Sequence, residues 1–219
     1  MIVHIEKELK KLLPHLLFGG FVAEVSVEAS SEALMALLSD EVKRLEPQLT
    51  PESIREMSTV KANKDAYRKL GKDPNRYRPA AESLLRRVAN GKGLYHINNV
   101  VDILNLISVK TGFSICGYDL DTIDGEISMG IGATNEPYEG IGRGELNVES
   151  LPIFRDQNGG FGTPTSDSVR TMVTGKTKRY LMIIIGFDGQ ASIEKALNET
   201  RQLLEQYADA KEVDRFFVK

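Results

Sequence analysis

The 219-residue sequence predicts an α/β (α+β) protein with a mixed β-sheet and flanking helices, on three observations. Several segments carry apolar residues at helical spacing. Four short runs, FSICGYDL, EISMGIGA, LPIFRD and RYLMIIIGF, are β-rich and bounded by Gly, Asp or Asn. The two kinds of segment interleave irregularly, which favours a mixed sheet over a doubly wound one.

Taken in order, MIVHIEKELKKLL reads as an amphipathic helix with charges throughout, and Glu6 to Leu17 is interrupted at Pro14. After Gly19-Gly20, FVAEVSVE alternates like a half-buried strand. Ser30-Ser31 caps the helix SEALMALLSDEVKRL, which Pro47 ends, and a further helix runs from Val60 to Leu70 and stops at Gly71. The turn-rich GKDPNRYRP is a candidate boundary. The division expected is an N-terminal α/β extension over residues 1–60, packed on a main domain of residues 61–219. Ala80 to Asn90 is helical and closes at Gly91, and Asn98 or Asn99 caps a helix that continues to Lys110 before Gly112. SIEKALNETRQLLEQYADA is a final helix with Ser192 as its cap.

Charged residues make up 27% of the chain with both signs mixed, and the net charge is -3, so any nucleic-acid contact needs a local basic patch. A single cysteine, Cys116, excludes an intramolecular disulfide and points to a reducing compartment. No signal peptide and no apolar run of the ~20 residues a membrane span needs are visible. A cytoplasmic location and no membrane partner are therefore expected. GIGRGE at Gly140 to Glu145 lacks the strand and helix context of a dinucleotide loop, and there is no phosphate loop. His4, His15 and His96 are scattered, and the acids of GYDLDTIDGE fall at the wrong offsets for a calcium loop. No cofactor and no metal are expected.

The stretch HINNVVDILN sets polar residues in an apolar helix. Asn98, Asp102 and Asn105 stand on one stripe of it. Burying such groups without partners costs roughly 2–7 kcal/mol. They form either a capping and loop-tethering network or the wall of a ligand pocket. DQNGGFGTPTSDSVRT can likewise be a fastened turn or an anion-binding one, with Arg170 pairing an anion or Asp167. Basic residues cluster as Arg76, Arg78, Arg86, Arg87 and Lys92, and again as Arg170, Lys176, Lys178 and Arg179. Either set can contact phosphates or form a solvated face.

INNVVDILNLISVKTGFSICGYDLD resembles the B3/B4 domain of the phenylalanyl-tRNA synthetase beta subunit, in a free-standing form, and the resemblance runs from about Tyr67 to Ile185. It implies an α/β fold with a pocket between the asparagine helix, the following strand and the glycine-rich turn. The residues it implies for that pocket are Asn98, Asn99, Asp102, Cys116, Tyr118, Asp119, Gly159, Gly160, Gly162, Thr163, Ser166, Asp167, Ser168 and Arg170. Candidate tRNA contacts are Arg76, Arg78, Arg86, Arg87, Lys176, Lys178 and Arg179. In the synthetase this domain hydrolyses the ester of a wrong amino acid on its tRNA. Two departures stand out: Cys116 replaces a histidine, and apolar YLMIII stands where the family supplies a glutamate. The implied function is binding of aminoacyl-tRNA, with ester hydrolysis of the deacylase type and no aminoacylation. The alternative is binding of an amino acid or similar small molecule on the same scaffold. No residue is assigned as catalytic.

Overall fold

The computed structural model describes residues 2–188 and 192–219, without the side chains of Ser192, Glu212 and Val213; the cap expected at Ser192 therefore lies outside the described side chains. The chain runs β1 (Val3–Ile5), α1 (Lys7–Leu12), β2 (Leu17–Glu24), α2 (Glu32–Leu45), α3 (Pro51–Glu56), α4 (Ser58–Lys69), α5 (Ala80–Ala89) and α6 (Asn99–Thr111). It continues with β3 (Ser114–Asp119), β4 (Ile127–Ile131), β5 (Glu139–Gly140), β6 (Gly144–Glu145), β7 (Pro152–Asp156), β8 (Gly159–Gly162), β9 (Arg179–Gly186), α7 (Ser192–Tyr207) and β10 (Lys211–Val218).

Two four-stranded sheets form, β10-β2-β9-β3 and β1-β4-β7-β8, beside the short β5-β6 hairpin. The first is antiparallel throughout. The second is mixed, because β1 lies parallel to β4. Period-two alternation in the first sheet decides the layering. Tyr180, Met182 and Ile184 of β9, with Phe21 and Ala23 of β2, pack under the helices against Val100, Ile103, Ile107 and Leu197. Leu181, Ile183 and Ile185, with Phe18, Cys116 and Tyr118, face Met129, Phe154 and Phe161 of the second sheet. The molecule is thus helices on sheet on sheet, an α/β fold with mixed strands and flanking helices as the sequence predicts. Strand β9 is apolar at every position from Tyr180 to Ile185 because both of its faces are buried.

Three expectations are corrected. The amino-terminal run is not one helix: Val3–Ile5 extends beside Ile127–Met129, and only Lys7–Leu12 coils. Strand β2 starts at Leu17, with Gly19 and Gly20 inside it rather than before it, and is buried on both faces from Phe18 to Ala23. A Cβ on either glycine would come within 2.7 Å of Phe217 or Phe216 of the neighbouring β10, so these positions let aromatic rings lie across the backbone. The glycine-rich segment is a hairpin arm, since Gly159–Gly162 pairs with β7. Strands β1 and β2 also place residues 1–60 in both large sheets, and no helix among the described residues is long and apolar enough to cross a membrane.

Candidate functional site

Helix α6 carries the polar row, and its side chains divide by role. Asn98 is the N-cap, its side-chain oxygen accepting from the Val101 amide at 2.9 Å. Asn99 is buried and accepts from the Glu28 and Val100 amides, while its Nδ2 donates to the carbonyls of Ser26 and Tyr207 at 2.9 Å each. Asp102, also buried, accepts from Ser30 Oγ at 2.6 Å and from the Ile97 amide at 2.8 Å. Asn99 and Asp102 therefore tie α6 to the segment after β2, and Asn99 ties it to the end of α7 as well, while Asn98 caps the helix itself. None of the five described cavities is lined by them. Asn105, one turn further along, does line a cavity.

The glycine-rich segment is also committed internally. Arg170 pairs with Asp156 through two bonds of 2.8 and 3.0 Å, and not with Asp167. That guanidinium and the amides of Asp124 and Asn158 hold the Asp156 carboxyl below its usual range against the opposing effect of burial. Thr163 Oγ1 accepts from the Thr165 and Ser166 amides, and Ser168 Oγ accepts from the Arg170 amide. Asp119, at the end of β3, accepts from Thr177 Oγ1 at 2.8 Å. Gly162 has no Cβ because one would overlap the Tyr118 hydroxyl. Gly160 lines a second open hollow of ≈ 480 Å³ with Tyr138, Ser168 and Arg170, and Gly159 accepts from Arg170 through its carbonyl.

Behind this segment lies a buried polar cluster of Cys116, Tyr118 and Asp167. Asp167 is partly exposed as a residue, but its Oδ1 is buried without a hydrogen-bond partner, and its Oδ2 meets the Gly117 amide at 3.4 Å. Burial pushes the Asp167 carboxyl up to about 7, partly offset by the nearby Tyr118, Gly117 amide and Cys116. Burial, then the Asp167 charge, also pushes the Cys116 thiol and the Tyr118 phenol upward. Cys116 is accordingly a neutral core thiol, without the thiolate a nucleophile needs.

The most strongly charged described cavity lies on the other side of the Thr163–Ser166 turn. It measures ≈ 490 Å³ and is bounded by α5, Asn105 of α6, Thr165 and Ser166, and the β5-β6 hairpin. Its lining holds five basic side chains, Arg78, Arg86, Arg87, Lys92 and Arg143, and no carboxylate. Sequence explains their placement. On α5 the residues Ala81, Leu85 and Val88 face the core, which turns Ser83, Arg86 and Arg87 outward. Glu82, 1% exposed, anchors the cations from behind: Arg86 Nε donates to it at 2.8 Å, Lys64 stands at 3.4 Å and Arg78 at 3.9 Å. The hairpin is fastened over the turn by the Ile141 amide on the Asp167 carbonyl at 2.9 Å and carries Arg143 to the wall.

Of the expected basic contacts, Arg78, Arg86 and Arg87 meet here, while Arg76 is exposed outside the lining. The second basic cluster does not converge. Arg170 is held by Asp156, Arg179 by Asp121 at 3.0 Å, and Lys178 and Arg179 share their hollow with Glu24, Asp121 and Asp209; Lys176 is simply exposed. Sequence reading placed Asn105 on the polar stripe, with tethering and a pocket wall both open to it, and did not single out Tyr95 or Arg143 as site residues. Asn105 had a visible signal, as the member of the polar row farthest from the capping residues. Arg143 lay inside the glycine cluster dismissed as a dinucleotide loop.

The B3/4 domain family model matches residues 62–214. A solved structure similar to this chain is an N-terminal fragment of the phenylalanyl-tRNA synthetase beta-subunit from Pyrococcus horikoshii, at 14% identity and a TM-score of 0.49, covering 99% of this chain and 50% of that one. The chain thus spans half the length of that fragment. A comparison with curated proteins gave no match. Every residue lining the basic cavity falls within the matched span, and on that match the chain belongs to the B3/4 domain family.

Proposed function

We propose that the protein binds the aminoacylated 3′ end of a tRNA in the basic cavity and hydrolyses the aminoacyl ester there. The observation that carries this reading is the cavity wall itself: five cations, no carboxylate, and the neutral hydrogen-bonding groups of Ser83, Asn105, Thr165 and Ser166. The cations take the phosphates and the terminal ester, whose carbonyl oxygen becomes negative as water adds. In that step the water oxygen bonds to the carbonyl carbon, the carbon–ribose oxygen bond breaks, and the proton passes to the departing ribose oxygen. The lining supplies no histidine or carboxylate to accept the proton. The ribose hydroxyl beside the ester is then the group that orients the water, and the protein contributes positioning and charge. The reading carries with it a cytoplasmic place of work.

A panel of aminoacyl-tRNAs incubated at low salt with the protein tests the proposal. Faster loss of one amino acid than in buffer, abolished by Asn105→Ala, is expected; equal loss across the panel with and without protein overturns it.

One observation favours a second reading, in which the ligand is a free amino acid or similar acid: the cavity's ≈ 490 Å³ suits a small molecule. Under it, free amino acids raise the melting temperature and charged tRNA does not bind.

A further inference from the structure

The cavity has an aromatic rim that ester hydrolysis leaves unused. Tyr95 lines it and is 51% exposed, and the Arg87 guanidinium lies 3.9 Å from the ring centroid. Arg87 Nε is buried with no hydrogen-bond partner, so the ring is the neighbour that holds this end of the guanidinium in place. A cation over an aromatic face fixes the ring's plane. Arg86, Lys92 and Arg143 stand on the same wall. A flat π surface beside several cations is the pairing that unpaired nucleotides require, with the base on the ring and phosphates on the charges. A duplex offers no unstacked base, and an inorganic anion or free amino acid would engage the cations and leave Tyr95 idle.

We infer that Tyr95, backed by Arg87, is the stacking platform for an unpaired nucleobase at an RNA 3′ end, with the adjoining phosphates on Arg86, Lys92 and Arg143. The inference rests on the proposed reading of this cavity and extends it from the ester to the nucleotide that bears it.

The test uses two labelled probes at low salt: the CCA trinucleotide common to tRNA ends, and the same molecule with an abasic 3′ residue. Wild-type protein should bind CCA more tightly than the abasic probe. Tyr95→Ala should weaken CCA binding by about tenfold and leave abasic binding unchanged, while Tyr95→Phe keeps both. No detectable CCA binding by the wild type, or an equal loss on both probes in Tyr95→Ala, overturns the platform. The hydrolysis reading falls separately: if CCA binding follows this pattern yet no aminoacyl-tRNA is deacylated, the platform stands and the ester chemistry does not. Conversely, wild-type deacylation by Tyr95→Ala with unchanged KM removes the platform alone.

Discussion

Arg86 Nε donates to Glu82 at 2.8 Å, and that carboxylate, 1% exposed, also stands 3.4 Å from the nearly buried Lys64 ammonium. One acid thus steadies two cations from the core side of the basic cavity. Removing it with Glu82→Ala would leave Lys64 buried without a counter-charge, an expected loss of about 3–5 kcal/mol in urea unfolding. Glu82→Gln, which keeps the shape, should lose less. Equal stability of the wild type and Glu82→Ala would contradict this role.

Asn99 is expected to matter for folding and not for ligand binding. Its amide meets four backbone groups, on Ser26, Glu28, Val100 and Tyr207. Asn99→Ala orphans several of them at once, at a cost of about 3 kcal/mol. Anion affinity in the surviving folded fraction should match the wild type.

Asn105 should behave in the opposite way, because it is only half-buried and its side chain borders the cavity. Asn105→Ala should shift stability by under about 0.5–1 kcal/mol, as a half-buried polar side chain at a cavity edge implies. Its binding of charged tRNA should weaken. Calorimetry and filter binding on the same preparations separate the two asparagines.

These two residues also show what the sequence could and could not reveal. Asn99 and Asn105 are both amides on the same apolar helix, and helical spacing correctly places them on an element beginning after the Asn98 cap. Which one tethers and which one faces a hollow depends on Ser26, Glu28 and Tyr207, partners 71 to 108 residues away in sequence. The central strands were legible because β9 is apolar on both faces. Strand β10 was not, since KEVDRFFV mixes charges with aromatics, half-buried Phe216 and exposed Phe217, whose place across the neighbouring strand depends on Gly19 and Gly20 far away in sequence. The charge of the cavity was half legible. Arg78, Arg86 and Arg87 lie close in sequence, but Arg143 arrives by a hairpin, and the second cluster was disarmed by Asp156 and Asp121.

Asp167 sets a pH dependence whose sign follows from burial. Its folded carboxyl is pushed up to about 7, above the ordinary range of an unfolded aspartate. Between about pH 4 and 7 the unfolded chain gives up this proton while the folded one keeps it. The contribution of Asp167 is therefore most favourable at low pH and declines as pH rises through 7. Asp167→Asn removes that decline, so the stability of the variant relative to wild type should increase from pH 4 to pH 7. Parallel urea titrations across that range check it, and a constant difference would refute the assignment.

The most direct test of the cavity as an RNA-binding site is the salt dependence of charged-tRNA binding by the wild type, Arg143→Ala and Asn99→Ala. Arg143 is exposed on the cavity wall, so its removal leaves the fold intact while subtracting one phosphate contact. The expected result is a wild-type affinity that falls steeply with salt, a log–log slope shallower by about 0.7 in Arg143→Ala, and a wild-type slope in Asn99→Ala. An affinity indifferent to salt, or identical slopes in the wild type and Arg143→Ala, would contradict the account.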